Sequence, residues 1–182
     1  MAESQTTKRA LADAFTEEAR TVPYAKISVG SICAACGMSR KCFYYHFRDK
    51  EDLVNWIFDE DVAPVSEETE PSLSRRMGEV SRVLYEKQQF YRKMLKAEGQ
   101  NCLAQHLRAV CAEEIAEELD KSGSSSALRR FQAEFCADFF VCALKRWLCT
   151  DPVLPPEAFI AQMESSLKKA ATDLLAYVVT MM

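Results

Sequence analysis

One short stretch of the chain, residues 37–50, combines basic and aromatic side chains at helical spacing. If a helix starts after Ser39, one of its faces carries a set of cationic and phenolic groups: Arg40, Lys41, Tyr44, Tyr45 and Arg48. Met38, Phe43 and Phe47 lie toward the other side and can be buried. Guanidinium, ammonium and phenol groups donate hydrogen bonds to phosphates and base edges. The pattern therefore favours a helix that packs on a small core and presents its polar face to a nucleic-acid groove.

Two helices are predicted to precede this stretch and to position it. Residues 7–21 repeat apolar side chains at helical intervals, and Val22-Pro23-Tyr24 interrupts the pattern. A second, short helix over 29–36 follows Ser28, which is a suitable N-cap. Gly37 then ends this helix, as a glycine in the left-handed conformation does.

The basic and aromatic stretch itself forms the third helix, 40–46, with Ser39 as its N-cap. Two short helices joined by a tight glycine turn make a helix-turn-helix. Asp49 is the expected cap of a fourth helix, 50–62. We therefore predict that residues 1–62 form a small helical domain.

The rest of the chain is also predicted to be helical. Residues 63–71 are polar and flanked by prolines, which indicates a hinge between domains. After the hinge, apolar residues recur at helical spacing without any strand pattern, and breaks are expected at 86–89, at the loop 121–126 and at 151–155. The expected fold is all-α with about nine helices, the second domain spanning 63–182.

Composition excludes several classes of protein. The formal net charge is -4, but residues 37–50 carry four cations against Asp49 alone, so a local basic face is compatible with an acidic chain. No run of 18 apolar residues predicts a membrane span, and the first residues lack the apolar region of a signal peptide. The expected location is the cytoplasm.

Eight cysteines and two histidines invite a metal or catalytic interpretation. Cys33-Ala-Ala-Cys36 lacks a second pair, so packing is favoured over zinc or redox chemistry. Cys102 and His106 have ligand-compatible spacing, but Cys111 cannot easily face the same ion, and packing or pocket lining is again favoured. No catalytic set, cofactor or metal site is predicted, and an enzyme is not expected.

Residues 7–58 resemble the N-terminal DNA-binding domain of TetR/AcrR transcriptional regulators. The resemblance is carried by Gly37-Met38-Ser39-Arg40, by Phe43-Tyr44-Tyr45-His46-Phe47-Arg48-Asp49-Lys50 and by the segment 27–32 before them. It implies a homodimeric, ligand-responsive regulator, usually a repressor, that binds a palindromic operator. The fold it implies is a three-helix DNA-binding domain followed by a helical ligand-binding and dimerisation domain.

The resemblance also implies roles for individual residues. Arg40 and Lys41 match positions that approach base edges, and Tyr45 is expected to contact the flank of the site. Four residues match positions that usually contact phosphate: Ser28, Tyr44, His46 and Lys50. Ser39 is also expected to be part of the DNA interface. Gly30, Lys41 and Cys42 depart from what many relatives carry, which leaves the operator sequence open.

The C-terminal part resembles a subgroup that includes regulators of dihydroxyacetone-kinase operons, through Trp147-Leu148, the proline-rich break and Pro156-Glu157. In the family, the last two helices form the dimer interface. The residues expected at that interface are Phe139, Cys142, Trp147, Phe159, Met163 and Leu167. The residues expected to line an effector pocket are Tyr85, Tyr91, Cys102, His106, Phe131, Phe135 and Asp138.

Two alternatives remain for the C-terminal domain. It can bind a small-molecule effector, or it can bind a partner protein instead. Asp138 is the most informative pocket residue, because a carboxylate among phenylalanines needs a partner if it is buried.

Overall fold

The structure is a computed structural model that describes residues 2–66, 73–97, 99, 102–121, 126–151 and 153–181. Within these residues the chain is all-α, with nine α-helices and one short 3-10 turn, Tyr24–Lys26. The helices are α1 (Ala2–Thr21), α2 (Val29–Ala35), α3 (Arg40–His46), α4 (Lys50–Ser66), α5 (Leu73–Glu86), α6 (Gln88–Leu95), α7 (Leu103–Lys121), α8 (Ser126–Leu148) and α9 (Pro156–Met181). The predicted fold class is confirmed.

Most helix limits agree with the sequence pattern, and α3 begins and ends where it was predicted. The predicted break between α5 and α6 falls at Lys87, whose backbone (φ -108°, ψ 31°) leaves the helical region. α1 starts earlier than expected, at Ala2, because a periodicity argument detects a helix only where buried residues recur.

The predicted hinge is shorter than its polar composition suggested. α4 continues through residues 63–66 instead of ending at 62. Pro64 removes one backbone hydrogen bond of the helix and disturbs mainly the turn before it. The helix can therefore continue beyond Pro64 when its preceding turns are well packed. The remainder of the hinge, 67–71, lies outside the described residues, as do residues 122–125 of the predicted loop between α7 and α8.

One continuous apolar core joins the two predicted domains. It runs from the first three helices, where Leu11, Phe15 and Phe43 are fully buried, to Leu84 and Leu144 in the C-terminal helices. α7 and α8 pair along their length and add a smaller cluster, Ile115, Ala133 and Ala137. Burial of this size is the main stabilising term of the fold.

Trp147 and Phe159 are almost fully buried in this core, and both also line an open groove of about 420 Å³ together with Phe139 and Met163. Their rings stack with centroids 4.4 Å apart, and Trp147 also stacks on Tyr85 at 6.1 Å. The indole N–H donates to the carbonyl of Leu154 (2.9 Å), and only 6% of Trp147 and 7% of Phe159 are exposed. The expectation that both rings face a second subunit stays a prediction, because the groove that they line is open.

Replacing Trp147 by alanine is expected to lower the free energy of unfolding by about 3–5 kcal/mol, because it removes a buried ring and leaves a cavity. Urea denaturation at a fixed protein concentration measures this. Tyr45→Ala is the control, since Tyr45 is 83% exposed and its loss should cost less than about 0.5 kcal/mol. Equal effects of the two substitutions would contradict the core position of Trp147.

Candidate nucleic-acid interface and its supporting contacts

Local hydrogen bonds determine where α2 and α3 begin. Ser28 and Ser31 form a reciprocal capping box at the start of α2, each hydroxyl accepting the other residue's backbone N–H at 3.1 and 3.0 Å. Ser39 caps α3 by accepting the N–H of Cys42 at 3.1 Å. Both serines predicted for the interface are therefore N-caps, and both are exposed.

The turn between α2 and α3 is a glycine-dependent helix stop. Gly37 has φ +69°, a conformation that other residues rarely adopt. Its N–H donates to Ala34, and the next N–H, of Met38, reaches back to Cys33 at 2.9 Å. These paired bonds satisfy the last carbonyls of α2 and turn the chain directly into α3.

The buried side of α3 holds it against the core. Phe43 and Phe47 are buried with ring centroids 5.7 Å apart, and Phe47 lies 5.8 Å from Trp56 of α4. The opposite side is open, with Tyr44 58% and Tyr45 83% exposed. The structure thus brings together the predicted polar face as one surface of a helix that is anchored by aromatic packing.

The two cations at the start of α3 form no ion pair with a carboxylate among the described residues. Neither Arg40 nor Lys41 forms an ion pair with a described carboxylate, and both are exposed. Arg48, further along the same face, is held by Asp52 at 3.5 Å. Unpaired cations at the start of α3 remain available for an external anion.

Arg40 has a defined position over α2. Its guanidinium lies above Gly30, so close that a Cβ added to Gly30 would meet Nη2 of Arg40 at 2.6 Å. Gly30 stands where the resemblance implies that some relatives carry a basic or polar contact residue, and the position of Arg40 gives a physical reason for a glycine. The missing side chain makes room for the arginine that belongs to the next helix.

Lys50 and His46 are less free than the sequence suggested. The Lys50 ammonium donates to the carbonyls of Tyr24 and Ile27, at 3.0 and 3.2 Å, and sits 4.1 Å from the Tyr24 ring centroid. Two of its three N–H donors are therefore used inside the protein. His46 is half-buried, with its ring edge-on to Tyr45 at 4.9 Å. The predicted phosphate contact of Lys50 has one donor left to make it.

The thiols near this surface are part of the packing. Cys33 donates to the carbonyl of Ser39 at 3.7 Å, and Cys36 donates to that of Ile32 at 3.3 Å. Burial, with additions from Cys36 and Cys42, raises the pKa of the Cys33 thiol and keeps it protonated. All eight cysteines are free thiols, and no three potential ligands among the described residues are grouped to hold a metal ion.

The seven residues predicted for an effector pocket do not surround one cavity. Tyr91 and His106 both lie edge-on to Phe58, at 6.2 and 6.1 Å, while Tyr85 stacks on Trp147 in a different part of the core. Cys102 is half-buried just before α7. The pocket prediction therefore combines residues from separate environments.

The other three predicted pocket residues lie on α8. Phe131 and Phe135 stack on each other at 6.3 Å and are 67% and 63% exposed. Asp138 is exposed as well and is paired with Arg108 of α7, which lowers the pKa of its carboxyl group. Asp138 is therefore a surface partner of α7 and not the buried carboxylate that its phenylalanine neighbours suggested.

Four residues expected at a dimer interface do lie at an outer face. Phe139, Met163 and Leu167 line an apolar groove of about 390 Å³ between α5, α7, α8 and α9, and Phe135 joins them. Cys142 is exposed on α8. This outer face of α8 and α9, which we call the apolar face, also includes exposed Leu128 and Phe131.

The sequence did not predict the contacts that the C-terminal half of α4 makes. Asp61 accepts hydrogen bonds from Lys87 and from Tyr91, both at 2.5 Å, and Asp59 lies 2.6 Å from His106. Burial and the Asp61 carboxylate raise the pKa of the Tyr91 phenol, which stays a donor. The sequence signal for these contacts is the acidic run 59–61, whose two aspartates find a lysine, a tyrosine and a histidine further along the chain.

Comparison with known proteins identifies the family. Residues 76–169, just over half of the chain, match the family model for the C-terminal region of TetR-type transcriptional regulators. Residues 11–57 match the model for bacterial regulatory proteins of the tetR family. The chain belongs to the TetR family. It is thus a transcriptional regulator of a DNA-binding family and not an enzyme, as the sequence resemblance predicted.

Individual relatives support the same fold. The dhaKLM operon transcriptional activator DhaS of Lactococcus lactis is 35% identical over 63 residues, which cover 35% of this chain and 34% of DhaS. A solved structure of a dihydroxyacetone kinase operon activator DhaS covers 90% of this chain and 95% of its own, with TM-score 0.63 and 20% identity. A TetR regulator from Streptococcus agalactiae covers 88% and 93%, with TM-score 0.65 and 18% identity. The expected likeness to dihydroxyacetone-kinase operon regulators is confirmed.

No helix among the described residues has the length and apolar character that a bilayer crossing requires.

Gly30→Ala is expected to weaken DNA binding without weakening the fold. An added methyl group would displace the Arg40 guanidinium, while the free energy of unfolding should stay constant or rise by up to about 1 kcal/mol. The loss of DNA affinity should not exceed that of Arg40→Ala. Fluorescence anisotropy with an operator duplex and urea denaturation measure the two effects.

Gly78→Ala is the matched control, because Gly78 is also helical and has open space where a Cβ would go. It should show the same change in stability and unchanged DNA affinity. If the two alanine variants bind DNA equally well, the position of Arg40 over α2 has no part in recognition.

Proposed function

We propose that the protein is a homodimeric transcriptional regulator that places α3 of each subunit in the major groove of a palindromic operator. The observation that carries the proposal is the outward face of α3, where unpaired Arg40 and Lys41 stand beside exposed Tyr44 and Tyr45. A helix fits the major groove of B-DNA, and the first residues of a recognition helix reach the base edges.

Within this arrangement Arg40 and Lys41 read bases. A guanidinium bonds bidentately to guanine O6 and N7, and each such pair contributes about 1–3 kcal/mol of discrimination. Tyr44, His46 and the remaining donor of Lys50 contact phosphates and fix the register of the helix. The exposed hydroxyls of the helix caps, Ser28 and Ser39, add contacts, and Tyr45 reaches the flank of the site.

The apolar face of α8 and α9 supports the proposed dimer. Phe131 and Phe135 are 67% and 63% exposed, and Leu128 and Leu167 are 51% and 46% exposed. A self-complementary surface closes a two-fold dimer and hides such side chains from water. Two recognition helices related by that axis fit half-sites about 34–36 Å apart, which is one turn of DNA.

Control of DNA binding passes through α4. This helix starts in the DNA-binding domain, and its other end is held by Lys87, Tyr91 and His106. A small molecule that binds one arrangement of these helices more tightly than another shifts the distance between the recognition helices. We place this activity in the cytoplasm, where bacterial operators are located.

Binding to an operator represses transcription when it blocks the polymerase, and this is the outcome we propose first. Activation is the second candidate, because the relative DhaS is described as the activator of its operon. A reporter gene fused to the selected operator separates the two. Deletion of the regulator raises reporter expression under repression and lowers it under activation.

A partner protein is the alternative to a small-molecule effector. The apolar groove beside Phe139 and Met163 is the observation that favours it, since any part of this groove that a second copy of the chain leaves uncovered suits a partner helix. Co-purification from the native cell would recover such a partner, whereas an effector changes DNA affinity in a mixture of purified protein and metabolite alone.

Arg40→Ala is expected to lower affinity for a selected operator by about 1–3 kcal/mol and to reduce discrimination at one base pair per half-site. Selection from randomised duplexes gives the operator, and anisotropy titrations give the affinities. The affinity should also fall steeply with salt concentration, as phosphate contacts require. Arg130→Ala, on α8, is the control with the same loss of charge.

Unchanged operator binding by the double variant Arg40→Ala with Tyr44→Phe would contradict the proposed reading face.

Phe135→Asp is expected to convert the dimer to a monomer, because a carboxylate replaces an apolar contact at the interface. The dimer dissociation constant should rise by at least about tenfold, as removal of a central apolar contact does. Sedimentation velocity measures it over a range of concentrations. Ala109→Asp adds the same charge to the exposed side of α7 and should leave the dimer intact. A wild-type protein that sediments as a monomer would refute this part of the proposal.

A further inference from the structure

A cavity of about 460 Å³ lies between α1, α4 and α6, where the DNA-binding domain meets the C-terminal helices. Its lining includes the buried side chains of Ala19 and Ile57 and the half-buried ring of Phe90. The Phe90 ring packs edge-on against Phe15 of the core, with ring centroids 6.0 Å apart, and this contact fixes its position in the cavity wall. The volume lies within the range of small-molecule sites, about 300–1,000 Å³.

The charged groups around the cavity are unevenly balanced. Three cations, Arg20, Lys87 and Lys93, line it against two carboxylates, Asp61 and Glu86. Lys87 and Asp61 pair directly at 2.5 Å and neutralise each other. Among the lining residues, Arg20, Lys93 and Glu86 remain, and together they carry one positive charge in excess.

Lys93 is the cation that lacks a counter-charge. Its ammonium donates to the last carbonyls of α1, those of Ala19 and Arg20, at 2.6 and 3.0 Å, and no described carboxylate pairs with it. Two of its three donors are thus used on neutral acceptors. Arg20 is exposed and pairs only with Glu17, at 3.2 Å on the surface, which contributes little.

We propose that this cavity binds a small organic monoanion, its carboxylate against the Lys93 ammonium and its apolar body against Ala19, Ile57 and Phe90. A neutral apolar molecule would leave the Lys93 ammonium without a counter-charge. A ligand with two or more negative charges would meet Glu86. The ligand class is therefore a monocarboxylic acid with a compact aromatic or aliphatic body.

Occupation of the site would reach the DNA-binding helices directly. Lys93 joins α6 to the end of α1, and α1 packs against both α2 and α3. The carboxylate of the ligand and the α1 carbonyls bind the same Lys93 ammonium. The ligand therefore favours the arrangement of α1 and α6 in which the ammonium can contact both of them. This consequence rests on the proposed DNA-binding function, whereas the binding itself does not.

Para-fluorobenzoate is a suitable probe, and fluorine NMR of the full-length protein reports its binding. Saturable binding is expected for para-fluorobenzoate and none for para-fluorobenzamide, which has the same shape without the charge. Lys93→Met should weaken binding by at least about tenfold, as loss of a charge-assisted hydrogen bond does. Lys96→Met is the matched control, because Lys96 is exposed just beyond α6 and outside the cavity lining.

Absence of saturable binding overturns the proposed site, as does equal affinity for the amide or equal affinity of the two lysine variants. The amide comparison uses wild-type protein and therefore decides even if Lys93→Met fails to fold.

Titration of an operator duplex in the presence of the probe then tests the link to DNA. A change in DNA affinity that disappears in Lys93→Met supports the link, and an unchanged affinity overturns it. Failure to bind any selected duplex would contradict the proposed function. The fluorine titration would still test whether the cavity binds the monoanion, because it does not involve DNA.

Discussion

Helix α4 is buried in two places at once, and the arrangement of the whole chain depends on this. Near its start, Leu53 and Val54 are buried in the core that also contains Phe43 of α3. One turn later, Phe58 lies edge-on to Tyr91 and His106 of the C-terminal helices. Because one rigid element contributes to both parts of the core, neither part can rotate without disturbing the packing of the other. The proposed DNA-reading helix, α3, therefore shares its core with a helix that extends into the C-terminal helices. Polar contacts of Asp59, Asp61 and Lys93 stabilise the same junction.

Charged side chains are arranged differently in the two parts of the chain. The chain is acidic overall, with a net charge of -4, yet Arg40 and Lys41 have no acidic partner among the described residues. In the C-terminal helices, by contrast, cations such as Arg76 and Arg108 are paired with carboxylates. Unpaired cations attract an external polyanion, whereas paired cations mainly tie helices together. The net charge of the chain is consequently a poor guide to its partner, and the local pattern is a good one.

Features set by neighbouring residues were predictable from the sequence. The limits of α3, the stop at Gly37 and the break at Lys87 depend on caps, glycine conformation and apolar spacing within one or two turns. The pocket prediction was weaker, because apolar and aromatic residues on an amphipathic helix look alike whether they face a cavity, a core or solvent. Tyr91 and Phe131 illustrate this, since one is fully buried and the other is 67% exposed.

The sequence by itself determined an all-α chain with a helix-turn-helix, a cationic and aromatic face on its second helix, and membership of the TetR family. Local hydrogen bonding and periodicity suffice for these, because the atoms involved are close along the chain. Only the tertiary structure decided that Trp147 lies in the core, that Gly30 makes room for Arg40, and that the Lys93 ammonium holds the end of α1. Each of these joins groups from different helices, and contacts between helices depend on how the whole core packs, which no single stretch of sequence contains.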